Sequence, residues 1–154
     1  DPHSKSYFEM KSGLMVGRYQ DAHTYAKSQS YKGTAGRLAI IKSKETQLFI
    51  NRIFRPSTET WIGLRLTCRP RSLVWNTGEV INRETDYTNW GLQWHYPDKF
   101  IPCSGGRGAS GGNAYNGLFA GIALIPYRGV IRWWAVAPGH GMNRALIEYP
   151  AGKP

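Results

Sequence analysis

The spacing of apolar residues changes once along this chain, near residue 60, and no other feature constrains the fold as strongly. Before that point, Asp21 to Ser28 and Lys44 to Phe54 carry helical spacing. Ala22, Tyr25 and Ala26 fall on one face of the first, and Leu48, Phe49 and Ile53 on one face of the second. Ser43 stands where an N-cap belongs, although Thr46 occupies the position at which a complete capping box has Glu or Gln. Pro56 marks the end of the second helix. Between the helices, Arg37-Leu38-Ala39-Ile40-Ile41 reads as a short apolar strand. After residue 60 come Thr60 to Arg65, Leu73 to Trp75, Phe119 to Ile125, Val130 to Trp134 and Ala145 to Tyr149, short β segments separated by turns. Helices first and short strands afterwards predict an α+β fold with a mostly antiparallel sheet, not βαβ units.

The stretch from Asn82 to Leu118 breaks this pattern. It holds Gly, Asn, Ser, Pro and aromatic residues with little periodicity, and a loop of about 35 residues inside a compact domain is normally functional. Its run Gly105-Gly106-Arg107-Gly108-Ala109-Ser110-Gly111-Gly112 lacks the Gly-Lys-Ser/Thr ending of a phosphate loop and reads as a loop tip.

Composition narrows the function. With 154 residues, 41% hydrophobic and 19% charged, the chain has the length of one domain and enough apolar surface to offset the entropy of ordering. Residues 1–5 read as a terminal tail or cloning remnant, and 6–154 as a single domain. The longest apolar runs, such as Ala120 to Ile125, fall far short of the ~20 residues of a membrane-spanning helix. The formal charge is +10, and from Lys99 to Ile147 there is no acidic residue to offset Lys99, Arg107, Arg128, Arg132 and Arg144. An anionic partner follows: an acidic or sulfated glycan, an acidic protein face, or nucleic acid. Aromatic residues among basic ones also suit single-stranded nucleic acid, but no basic run exceeds two residues, which disfavours that partner. No Ser/His/Asp spacing stands out, and Asp98 is alone in its segment, so no catalytic residue and no cofactor is assigned. The four histidines are scattered, and Cys68 and Cys103 lack zinc-ligand spacing; the two cysteines either pair or remain buried thiols.

The order of local motifs resembles a C-type lectin-like domain across roughly Ser6 to Pro150. Tyr7-Phe8 matches an opening strand, and Tyr19-Gln20-Asp21-Ala22 the start of a first helix. Leu38 to Ile50 resembles the family's "LAxIxSxExxxFI" run, and Trp61-Ile62-Gly63-Leu64 its "WIGL" strand. Leu73 to Gly78 and Tyr87-Thr88-Asn89-Trp90 follow in order. Arg132-Trp133-Trp134 stands in the place of the "WND" strand, and Ala145 to Pro150 in that of the closing "FICEYP" strand. Trp61, Ile62 and Leu64 are then strand core, and Gly63 lets a neighbouring backbone approach.

The departures from the family's pattern shape the functional expectation. The residues at the positions of the family's helix-to-last-strand disulfide are Ala26 and Ile147, and its second disulfide lacks a partner near Pro138 or Gly139. The resemblance therefore implies a different bridge, Cys68 to Cys103, and a bacterial or phage type of domain. The family's sugar-ligating calcium needs a Glu-Pro-Asn or Gln-Pro-Asp triplet and an Asn-Asp pair; here stand Tyr96-Pro97-Asp98 and Trp134-Ala135. Calcium takes six to eight oxygens, a number one Asp does not approach, so no metal is expected.

In the long loop, Trp94, His95, Tyr96, Asp98 and Lys99 suit stacking on a sugar ring with polar groups to fix its hydroxyls. The same cluster also suits packing the loop onto the domain. Adjacent strand residues face opposite ways, so Trp133 in the core leaves Trp134 as an exposed candidate. Arg107, His140, Asn143 and Arg144 complete the predicted ligand-binding set. The expectation is a calcium-independent, carbohydrate-binding lectin domain of a secreted or cell-surface adhesin within a larger surface protein. The competing expectation is a cell-adhesion or host-interaction module that binds a protein.

Overall fold

The computed structural model describes residues 1–13, 17–68, 71–82, 84–91, 119–136 and 139–151. Strand β1 (Ser6–Ser12) leads to helix α1 (Tyr19–Ser28), and three two-residue strands follow: β2 (Ser30–Tyr31), β3 (Thr34–Ala35) and β4 (Arg37–Leu38). After helix α2 (Lys44–Phe54) come β5 (Thr60–Cys68), β6 (Arg71–Trp75), β7 (Phe119–Tyr127), β8 (Val130–Val136) and β9 (Arg144–Pro150). The main sheet runs β1-β9-β5-β7-β8, with β4 added on β9 and β6 on β5. Its pairings are antiparallel except β5 with β9, which meet in parallel at Trp61 and Ala145. The fold is α+β, as the sequence predicts.

Local chemistry sets the element ends. Ser43 Oγ accepts from the Thr46 N–H at 3.1 Å, the expected N-cap. Residues 1–5 join the same corner: Asp1 Oδ2 accepts from Thr46 Oγ1 at 2.9 Å. Helix α2 stops as Arg55 turns left-handed (φ 44°) just before Pro56. Helix α1 begins at Tyr19, earlier than the apolar spacing indicates, because Asp21 is its third residue and accepts from the Arg18 N–H at 3.2 Å. The strand expected over Arg37 to Ile41 is confined to two residues. Beyond Leu38, the Ala39 N–H goes to the Leu146 carbonyl and the Ile40 N–H to the Glu148 carboxylate.

Two apolar clusters flank the sheet. On the α2 side, Ile41, Ile50, Ile62, Leu64, Leu66, Trp75, Ile122, Leu124, Trp133 and Leu146 are buried together. On the α1 side, Tyr19, Ala22, Ala26, Leu38, Trp61, Ala123, Ala145 and Ile147 form the second cluster. The alternation of Trp61 and Ile62 between these clusters is what a strand buried on both faces requires. Gly63 is in close contact as predicted, since a Cβ there would lie 2.6 Å from the Leu38 carbonyl oxygen. Glu148 is buried between β1 and β4. Its carboxylate accepts from Ser6 Oγ at 2.7 Å, and from Arg37 Nε and the Ile40 N–H at 3.0 Å each.

Candidate functional site

The start of β5, the end of β7 and the starts of β8 and β9 share one end of the sheet, as the pairings Thr60–Leu124 and Trp61–Ala145 require. An open depression of about 440 Å³ lies there, with Ile125, Pro126 and Met142 as its apolar part and Ser57, Thr58, Glu59 and Asn143 as its polar part. His140 Nε2 lies 3.2 Å from Glu59 Oε2, and Arg144 Nη1 donates to Ser57 Oγ at 3.4 Å. Backbone bonds pin the turn that carries these residues. The Gly13 N–H donates to the Asn143 carbonyl at 2.9 Å, and the Met142 N–H to the Gly17 carbonyl at 2.6 Å. Hydroxyls, a carboxylate and an amide beside apolar side chains can orient a polyhydroxylated ligand.

Next to the depression stands the β7–β8 hairpin. Arg128 (φ 49°) and Gly129 (φ 77°) form its turn, and positive φ at both central residues matches the right-handed twist of the strands. Strand alternation and the observed register put Ala123, Ile125 and Tyr127 on one face with Val130, Arg132, Trp134 and Val136. Tyr127 and Val130 are exposed, and the Arg128 guanidinium lies 5.2 Å from the Tyr127 ring centroid. Arg132 Nη1 donates to Asn89 Oδ1 at 2.7 Å, and Asn89 Nδ2 to the Ile131 carbonyl at 3.0 Å, so the stretch before Gly91 is tied to β8.

Trp133 and Trp134 do face opposite ways, but Trp134 is half-buried and not the exposed ring expected. Its ring packs 6.1 Å from that of Tyr127, and a Cβ on Gly91 would lie 2.8 Å from the indole. Trp133 fills the core as expected. Trp75, Tyr87 and Trp90 each pack almost perpendicular to it at 5.8 Å, and its Nε1 donates to Gln47 Oε1 at 2.8 Å. Burial in this group pushes the Tyr87 hydroxyl up to about 12, with Arg132 opposing the shift.

Of the predicted ligand-binding residues, Trp134 stands on the hairpin face, Asn143 lines the depression, and His140 and Arg144 flank it through Glu59 and Ser57. Trp94, His95, Tyr96, Asp98, Lys99 and Arg107 lie outside the described residues, as does Cys103; Cys68 ends β5 at the opposite end of that strand from the depression. Tyr127 and Glu59 were not singled out from the sequence. The Tyr-Arg-Gly-Val turn between two apolar runs is the signal that marks Tyr127, whereas Glu59 carries none, since only the fold brings it to His140. Among the described residues no three His, Cys, Asp or Glu side chains are grouped to hold a metal ion.

A sequence model described as the lectin C-type domain matches residues 19–105, more than half of the chain. No curated protein sequence matches. The fold is similar to the carbohydrate-recognition domain of the mouse scavenger receptor C-type lectin, at 19% identity and a TM-score of 0.63, covering 97% of this chain and 92% of that one. It is similar also to the cow CD23 carbohydrate-recognition domain, solved in the presence of an oligosaccharide of GlcNAc and mannose, at 18% identity, a TM-score of 0.64, and 97% and 91% coverage. A third is the C-type lectin CEL-I of Cucumaria echinata, at 16% identity, a TM-score of 0.62, and 94% and 89% coverage.

Proposed function

The chain belongs to the C-type lectin domain family, a non-catalytic binding family, and from that premise we propose that it recognises a glycan without calcium. The observation that carries this reading is the pair Trp134-Ala135 at the family's Asn-Asp positions. A half-buried indole and a buried methyl group offer no side-chain oxygen to a metal there. The ligand face would be the hairpin surface of Tyr127 and Trp134 with the depression beside it, joined by the loop residues Trp94, His95, Tyr96, Asp98, Lys99 and Arg107. Aromatic edges for the apolar side of a sugar ring, and Glu59, Asn143 and Ser57 for its hydroxyls, support a carbohydrate. Arg128 and Arg144 on the same side, and the net charge of +10, support an acidic or sulfated one. The domain would serve a secreted or surface adhesin of bacterial or phage type, with Cys68 and Cys103 joined.

The exposed apolar tip of Tyr127 and Val130 favours one alternative, a protein-binding adhesion module. A glycan array probed in EDTA at two ionic strengths separates the two. Discrete glycan hits that survive EDTA and weaken with Tyr127→Ala or Trp134→Ala are expected. Hits that vanish with EDTA would overturn calcium independence, and a blank array beside retained binding to a protein receptor would overturn the glycan reading.

A further inference from the structure

A second recess lies on the α1 side of the sheet, lined by Tyr19, Gln20, His23, Arg65 and Asn76 and holding about 180 Å³. Strand alternation puts Arg65 on the same face of β5 as Trp61, and Gly63 between them lets Asn76 pack against the strand, since a Cβ there would lie 2.7 Å from Asn76 Nδ2. Asn76 is fixed there: its N–H donates to the Gly63 carbonyl at 2.7 Å and its Nδ2 to the Leu38 carbonyl at 2.9 Å. The wall is aromatic, with the Tyr19 and His23 rings parallel to within 4° at 6.5 Å.

The charge balance of this recess is one-sided. Among the described residues, none that lines the recess is acidic and the Arg65 guanidinium has no ion pair. His23 Nδ1 is buried without a hydrogen-bond partner. Burial, Lys27 and Arg65 all lower the proton affinity of this imidazole, so both cations act on the same spot. The recess thus collects polar side chains from two elements: the guanidinium of Arg65 on β5, and the imidazole of His23 and the amide of Gln20 on α1.

We propose that this recess binds the tetrahedral oxyanion of a sugar ester, a sulfate or phosphate monoester, with Arg65 as its counter-charge and His23 and Gln20 as neutral donors. A guanidinium meets such an oxyanion with paired N–H groups, and the recess is larger than the ion alone requires. The site is separate from the hairpin face and does not depend on what that face binds.

The test is a titration of the intact chain at constant ionic strength, read by the imidazole NMR signals of His23. Four probes are compared: galactose 6-sulfate, galactose 6-phosphate, sodium sulfate and galactose. Saturating shifts are expected with the two esters, at least tenfold weaker saturation with sulfate, and none with galactose. Arg65→Gln should weaken ester binding tenfold or more while the His140 signals and the unfolding midpoint stay in place. Gln20→Ala, on the exposed side of α1, should weaken it several-fold and guards against a folding defect in the first variant. Linear shifts with both esters, saturation by sulfate as tight as by the esters, or wild-type binding by Arg65→Gln would each overturn the proposal. Tyr127→Ala should leave these shifts unchanged, so a failure of the hairpin face and a failure of this recess are read independently.

Discussion

Replacing Glu148 by Gln tests whether one buried carboxylate fastens three parts of the chain. Its Oε1 accepts from Ser6 on β1, and its Oε2 from Arg37 on β4 and from the Ile40 backbone. Glutamine is nearly the same size, so no cavity forms and the effect is electrostatic. Its amide oxygen must keep the Oε2 position, because an NH2 group there would face two donors. The Ser6 hydroxyl can rotate to accept from the new NH2, and that bond survives. The Arg37 and Ile40 bonds lose the charge that strengthens them. Hydrogen bonds to charged groups contribute about 1.5–3 kcal/mol each, against about 1 kcal/mol for neutral ones, so the two together lose about 2 kcal/mol. Arg37 is partly exposed, at 30%, which holds the loss near the low end. Glu148→Ala removes the acceptors altogether, leaves the Ile40 N–H buried without a partner, and should cost about 4 kcal/mol or more. Urea unfolding measures both, with the m-value unchanged if only the native state is affected. In a domain of this size about 2 kcal/mol corresponds to about 4–8 °C in the melting midpoint. A Glu148→Gln variant as stable as the parent, or an alanine variant no worse than the glutamine one, would refute the reasoning.

Gly63→Ala should destabilise by about 1–3 kcal/mol, because its Cβ would meet the Leu38 carbonyl oxygen at 2.6 Å and only backbone movement relieves that; a neutral result in urea unfolding would count against the close approach. Burial pushes the Tyr19 and Tyr87 hydroxyls up to about 12 from an ordinary 10. The folded chain therefore holds protons that the unfolded chain releases. Their contribution is whole below pH 10 and is lost progressively between pH 10 and 12. Tyr87→Phe should flatten the fall in melting temperature over that window, and an unchanged fall would refute the assignment.

The parts of the fold that were legible in the sequence are those in which chemistry is local. Ser43 caps α2 with its own side chain, and Trp61 to Leu64 alternate between two cores. The β2–β3 hairpin was not legible. Its strands are two residues each, and its turn relies on Lys32 (φ 49°) and Gly33 (φ 77°) rather than on Asn-Gly or Asp-Gly. For the candidate site, neighbours along the chain such as His140, Asn143 and Arg144 could be grouped. Glu59 and Ser57 could not, because more than 80 residues separate them from their partners. The orientation of Trp134 followed from alternation, but its partial burial did not, since that depends on Gly91 and Tyr127 approaching from other segments.

The antiparallel ladder of β1 on β9 has a mechanical consequence. Ser6 pairs with Pro150 at one end and Ser12 with Arg144 at the other, so the start of β1 and the end of β9 lie side by side, at the end of the sheet away from the depression beside Arg144. A pull that separates those ends loads the ladder as a zipper, breaking one rung at a time from Ser6–Pro150, and not as a shear that strains all rungs together. The first links to part are the contacts of Asp1 with Ser6 and Thr46, then the Ala151–Lys5 backbone bond and the Ser6–Glu148 bond. Under tension applied to the start of β1 and the end of β9, the domain should open from the Ser6–Pro150 end of this ladder, while β5, β7 and β8, which carry the hairpin face, bear little of the load. Drawn instead from one terminus and from a ligand held at the opposite end, the same ladder would be loaded along its strands and would resist far more.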